Sequence, residues 1–188
     1  AIGRDVIYGD VAATPTTGIL VREHGAAGGI QISASHNPAP YNGIKLFEAS
    51  GRVIPADAGQ KVIEAYREFD FKTVSHDSIG TISNLDDTTT AHLKAVLETV
   101  DVERIKSQRY KVVLDSRHGA GSVLGRELLS ALGCEFTCLG DTPDGLFTRS
   151  PEPTEVNLRD TTSMAVDLKA QVVFCQDPDA DRVALIDE

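Results

Sequence analysis

The sequence predicts an α/β protein built as two consecutive α/β domains, with mixed, mostly parallel sheets flanked by helices. From residue 111 onward, short apolar runs alternate with helical stretches of about ten to twelve residues, the rhythm of strand–helix units around a largely parallel sheet. Between residues 72 and 85 that periodicity lapses into Ser, Thr, Gly and Asn, which places a boundary near Gly80 and divides the chain into residues 1–80 and 81–188. With 188 residues, 41% apolar and 24% charged, there is material for one large or two small cores.

In the first segment, Thr14-Pro15 puts a proline where a helix can begin, and the helix continues from Thr17 to His24. Gly28-Gly29 introduces a short alternating strand, Ile30 to Ser33. A loop rich in Pro, Asn and Gly runs from Ala34 to Gly43, and Ile44 to Phe47 returns as a second strand. Val62, Ile63, Tyr66 and Phe69 share one face of a helix opened around Ala56-Asp57.

Past the boundary, Leu93, Val96, Leu97 and Val100 mark an amphipathic helix with Asp87 as N-cap. Lys111 to Asp115 is a strand, and Leu124, Leu128, Leu129 and Leu132 mark a helix ended by Gly133. Glu135 to Leu139, Gln171 to Cys175 and Val183 to Ile186 are further strands, with a helix from Leu158 to Lys169. In such sheets chemistry collects beyond the carboxyl ends of strands.

Composition narrows the function. A net charge of −10 argues against a nucleic-acid partner and requires any phosphorylated substrate to be met by local cations. No apolar run approaches the roughly 18 residues that span a bilayer, so no membrane partner is expected. Cys134 and Cys138 sit about 13 Å apart along a strand, too far for a disulfide. No second Cys/His pair completes a zinc pattern, and three free thiols with Cys175 fit a reducing cytoplasm. The chain opens Ala1-Ile2-Gly3 without an initiator Met, as expected of a piece of a longer protein.

Two loops carry the chemistry. Ser33-Ala34-Ser35-His36-Asn37-Pro38 follows the Ile30 strand, where a hydroxyl is exposed and rigidly held, as a nucleophile or phosphoryl carrier requires. His36 and Asn37 add polar groups, and Lys45 lies on the returning strand within reach of an anion. The same residues are also good turn formers, so the pattern alone leaves a plain turn open.

Asp177-Pro178-Asp179-Ala180-Asp181-Arg182 follows the strand ending at Gln176. Carboxylates at alternate positions repel unless a cation lies between them, and they are hard ligands for Mg²⁺ or Ca²⁺. Asp177, Asp179, Asp181 and Glu188 match EF-hand positions, but Arg182 stands where that loop needs glycine and the flanks are strands. A solvated acidic turn is the other reading. Gly119-Ala-Gly121-Ser-Val-Leu-Gly125 invites a dinucleotide site, yet its third glycine is one residue late, which favours a tight strand-to-helix turn.

The stretch from Gly29 to Lys45, about seventeen residues in order, resembles the active-site signature of the α-D-phosphohexomutases: phosphoglucomutase, phosphomannomutase and phosphoglucosamine mutase. The resemblance implies that Ser35 is the phosphoserine of the active enzyme and that His36, Asn37 and Lys45 line its site. The second loop is similar to the family's Asp-x-Asp-x-Asp-Arg metal loop, which implies one Mg²⁺ on Asp177, Asp179 and Asp181, joined by phosphorylated Ser35, and Arg182 facing the phosphoryl or substrate. Many relatives carry Gly where this chain has Pro178 and Ala180, a change that spares every ligand. His24, His76, His92 and His118 are read as surface or structural, and Pro143 to Phe147 and Pro151 to Leu158 as loop and helix-capping segments.

The resemblance covers roughly the latter half of the family's first domain and nearly all of its second, so the first domain is expected to be incomplete and the piece alone a poor catalyst. It implies an isomerase that interconverts hexose 1-phosphate and 6-phosphate through a phosphoserine enzyme. Hexose 1,6-bisphosphate would be the intermediate and activator, a phosphosugar the substrate, and a monomer or homodimer the assembly. A non-catalytic phosphosugar- or metal-binding domain and a dinucleotide-dependent oxidoreductase are the alternatives.

Overall fold

The computed structural model describes residues 2–38, 40–69 and 71–187. The opening Ala1 and the Glu188 counted in the EF-hand comparison lie outside them. The chain runs β1 (Val6–Tyr8), α1 (Thr14–Glu23), β2 (Gly28–Ile32), β3 (Ile44–Glu48), α2 (Ala56–Glu68), a 3₁₀ turn (His76–Ser78) and β4 (Ile82–Asn84). It continues α3 (Thr90–Leu97), α4 (Val102–Gln108), β5 (Lys111–Asp115), α5 (Gly121–Ala131), β6 (Glu135–Leu139), α6 (Glu155–Leu168), β7 (Val172–Gln176) and β8 (Val183–Ile186).

The second half is a three-layer α/β unit. Its sheet has the order β6-β5-β7-β8, with β6, β5 and β7 parallel and β8 antiparallel at the edge. Alternation along β5 explains the layers. Val113 joins Val173 and Cys175 on one face, packed against Leu158 and Ala165 of α6, while Val112 and Leu114 meet Leu129 of α5 on the other. Fully burying a side chain such as Leu129 contributes about 1.5–3 kcal/mol, so these clusters fix the strand order and with it the place where β7 ends. Gly133, at φ 66°, supplies the left-handed turn that releases the chain from α5 into β6.

In the first half, β2 and β3 form an antiparallel hairpin, with Gly28 opposite Glu48 and Ile32 opposite Ile44, and α1 lies against both strands. β1 and β4 pair in parallel, Val6 with Ile82, so the chain on either side of Gly80 is tied back to the first strand.

Several expectations need correction. Val100 lies beyond α3, which stops at Leu97, because Thr99 and Val100 turn back onto the carbonyls of Val96 and Leu97. Residues 72–85 are not featureless: they hold the 3₁₀ turn and β4, both too short to show a period. The helix carrying Val62, Ile63 and Tyr66 does form, stopping at Glu68 with Phe69 as its left-handed C-cap, but no residue of α2 is buried and Tyr66 is 76% exposed. Its apolar stripe is only partly covered, with Tyr66 stacked on Phe69 and Val62 and Ile63 still 45% and 44% exposed.

Candidate active site

β2 ends at Ile32 and the chain turns at once. Ser35 adopts the left-handed conformation at φ 52°, which costs a side-chain-bearing residue roughly 1–2 kcal/mol and must be held by its surroundings. The hold is local: the Ser35 N–H donates to Ser33 Oγ at 2.8 Å. Asn37, exposed, spends its Nδ2 on the carbonyl of Ala34 at 2.8 Å, which ties the same turn rather than reaching the second half. The result aims Ser35 Oγ at the loop after β7. It donates to Asp177 Oδ2 at 3.2 Å and lies 3.4 Å from both Arg182 Nη2 and His36 Nδ1.

The loop after β7 is built to converge. Ala180, left-handed at φ 52°, donates its N–H to the Asp177 carbonyl at 3.0 Å, closing a turn that gathers alternate side chains. One oxygen from each of Asp177, Asp179 and Asp181 then lies within 4.8 Å of the others, the first two buried and the third exposed. Arg182 locks Asp177 from three donors, its backbone N–H to Oδ1 at 3.1 Å and Nε and Nη2 to Oδ2 at 3.1 and 3.0 Å. Lys45, reaching over from β3, places Nζ 2.6 Å from both Asp179 Oδ2 and Asp181 Oδ2.

These contacts set the charges. Burial pushes the Asp177 carboxyl above its ordinary range, and the neighbouring aspartates push the same way against the Arg182 hydrogen bonds. Burial also works to raise Asp179, but hydrogen bonds from Lys45 and Thr14 outweigh it and hold that group below the usual value. For Lys45, desolvation would favour the neutral amine; its bonds to the two carboxylates prevail and keep the ammonium. Three hard oxygen donors on one loop, with Asp179 Oδ1 buried and lacking a hydrogen-bond partner among the described residues, fit a small divalent cation.

The cleft between the halves encloses about 440 Å³. Ser33, Ser35 and Tyr41 line it from one side, and His118, Phe147 and Asp179 from the other. His118 is therefore no isolated surface residue; it walls the cleft and brings Nδ1 within 3.2 Å of Asp144 Oδ1. The Pro143–Phe147 segment also borders the cleft, and Glu152 Oε1 lies 3.8 Å from His36 Nε2. The stretch that follows it, residues 149–157, is anchored from beneath. Arg117 donates to the carbonyls of Ser150 and Asn157 at 3.1 and 2.9 Å, while Arg149 reaches Asp115 Oδ2 at 3.2 Å.

The glycine-rich turn supports the acidic loop after β7. The Ala120 N–H donates to the Pro178 carbonyl at 2.7 Å, and a Cβ on Gly119 would meet that carbonyl oxygen at 2.3 Å. The sequence marks Thr14 only as the start of a helix. Its N–H and hydroxyl both bind Asp179, at 2.9 Å to the carbonyl and 2.5 Å to Oδ2, across 165 residues.

Comparison with known proteins agrees across the length of the chain. The family model for phosphoglucomutase/phosphomannomutase alpha/beta/alpha domain II matches residues 90–188, and the model for domain I matches residues 1–73. A phosphoglucomutase/phosphomannomutase of Thermococcus kodakarensis is 39% identical over 187 residues, covering 99% of this chain and 41% of that protein. A phosphoglucosamine/phosphogalactosamine mutase of Sulfurisphaera tokodaii is 34% identical, covering 100% of this chain and 42% of its own length. The crystal structure of a phosphoglucomutase/phosphomannomutase family protein from Burkholderia thailandensis superposes with a TM-score of 0.77 at 27% identity, covering 100% of this chain and 41% of that one. The chain thus spans about two fifths of the length of the relatives it matches. Among the described residues, no helix is long and apolar enough to cross a membrane.

Proposed function

The chain belongs to the phosphoglucomutase/phosphomannomutase family, whose named members are isomerases, and on that premise we propose that it carries the phosphoserine and the metal loop of a phosphohexomutase. The observation that supports this most is the meeting of two loops 142 residues apart, with Ser35 Oγ 3.2 Å from Asp177 Oδ2.

Phosphorylated Ser35 donates its phosphoryl group to the free hydroxyl of a hexose phosphate. As the hydroxyl oxygen takes the phosphorus, the bond to Oγ breaks and the hydroxyl proton leaves. The product is a hexose 1,6-bisphosphate, which reorients and returns its other phosphoryl to Ser35 Oγ. Arg182, held by Asp177 and 3.4 Å from Oγ, is placed to donate to the transferring oxygens. His36, beside Oγ, and Lys45 are the groups at hand to position the sugar hydroxyl and handle its proton. Asp177, Asp179 and Asp181, with an oxygen of the Ser35 phosphoryl, would hold one Mg²⁺, which supplies neutralising charge to that group. Asn37 keeps the serine turn in shape.

The substrate is a phosphosugar, met by Lys45 and Arg182 in a chain that is otherwise acidic. The serine loop belongs to residues 1–80 and the metal loop to residues 81–188, facing each other across the cleft. Three free thiols fit the cytoplasm, as a monomer or homodimer.

Incubation with hexose 1,6-bisphosphate labelled in its phosphoryl groups tests the proposal. Label should be retained on the protein at Ser35 and be lost in Ser35→Ala. Unlabelled wild-type chain, or label that persists in Ser35→Ala, would overturn it.

A further inference from the structure

We propose that Thr14 is a positioning residue for the cation, acting from the first turn of α1 to orient Asp179; this rests on the metal-loop reading above. Two bonds join Thr14 to one aspartate, and they constrain different parts of it. The backbone N–H, one of the donors left free at a helix start, holds the Asp179 carbonyl at 2.9 Å and so fixes the loop backbone. The hydroxyl donates to Oδ2 at 2.5 Å and so fixes the side-chain torsion. Lys45 Nζ takes the same Oδ2 at 2.6 Å. With Oδ2 engaged twice, Oδ1 is the oxygen left buried without a hydrogen-bond partner among the described residues, and it is the one available to a cation.

The anchor for this grip is rigid. Thr14 is 6% exposed, and Pro15 pre-sets the backbone angle of the first turn. Thr17 Oγ1 donates to Gln31 Oε1, and Gln31 Nε2 donates to the Ala12 carbonyl at 3.2 Å, so α1 is bound to the strand that leads into the serine loop. Thr16 Oγ1 pairs with His92 Nδ1 at 2.9 Å on α3. The helix start therefore couples the serine strand to the orientation of a ligand in the other half. Outer partners of metal ligands typically change affinity about 10–100-fold when removed.

The test is Mn²⁺ binding to the 188-residue chain, followed by loss of the free-ion electron paramagnetic resonance signal, with Mg²⁺ as competitor. Thr14→Val, nearly isosteric and without the hydroxyl, should weaken Mn²⁺ binding about tenfold or more, while Thr14→Ser stays within about twofold of wild type. Circular dichroism checks that each variant folds. Should Thr14→Val fail to fold, Thr14→Ala against Thr14→Ser isolates the hydroxyl. Wild-type affinity in Thr14→Val, or a loss in Thr14→Ser as large as in Thr14→Val, overturns the positioning role. Asp179→Asn separates the two readings: if Mn²⁺ binds that variant as tightly as wild type, the metal loop itself is misassigned.

Discussion

Replacing Gly119 by alanine probes how the acidic loop after β7 is held, because the new methyl has nowhere to go. A Cβ at this position would stand 2.3 Å from the Pro178 carbonyl oxygen, 2.5 Å from its Cα and 2.7 Å from its carbonyl carbon. Ordinary carbon–oxygen contacts begin near about 3.3 Å, so the two segments must part by roughly 1 Å. All three obstacles are backbone, so no side chain can swing away. Overpacking of this kind costs about 1–3 kcal/mol, and the same displacement strains the 2.7 Å bond from Ala120 N–H to the Pro178 carbonyl, itself contributing about 1 kcal/mol. Gly119→Ala should therefore lose about 2–4 kcal/mol in urea unfolding. Because Pro178 lies between two of the clustered aspartates, Mn²⁺ affinity should fall in the same variant. A Gly119→Ala protein within about 0.5 kcal/mol of wild type, with unchanged Mn²⁺ binding, would refute the claim that the glycine turn is the shelf on which the acidic loop rests.

Two other outcomes follow from the same coordinates. Asp87 Oδ1 accepts the N–H groups of Thr89 and Thr90 at 2.9 and 3.0 Å, and hydrogen bonding to Thr90 chiefly holds its carboxyl below the ordinary value. A depressed folded value means stabilisation that is present above the unfolded pKa, about 3.9, and lost as pH falls through the folded one. Asp87→Ala should therefore cost about 1 kcal/mol near neutral pH, and the gap to wild type should narrow as pH falls below about 3.9, as read from thermal melts across pH. Cys175 is fully buried and burial pushes its thiol up to about 12, so iodoacetamide followed by mass mapping should leave it unmodified in the native chain and alkylate it only in denaturant.

What could be seen in the sequence depended on whether the signal was local. β5 and β7 were legible because buried strands of a parallel sheet are continuous apolar runs, and α5 because its leucines recur at helical spacing. Both chemical loops could be found because each carries its reactive groups within six consecutive residues. β1 and β4 had no such mark: each has three exposed residues, and their pairing joins positions far apart in the chain. Thr14 looked like nothing more than the start of a helix, since its partner is 165 residues away. His118 read as solitary for the same reason; the cleft it walls exists only once the halves meet. The stripe on α2 misled in the opposite sense, since periodicity reports a helix but not whether anything covers it.

The ten residues of α1 join the two lobes at their point of chemistry. Its leading end is fastened to the acidic loop, its flank to α3 and its underside to the hairpin, so the serine oxygen and the acid trio are spaced by a strut rather than by loose tails. Any separation of the lobes would have to break the bonds at the tip of that strut. Motion that preserves them is confined to pivoting about it, which would change the width of the cleft mouth while keeping the start of α1 on the acidic loop.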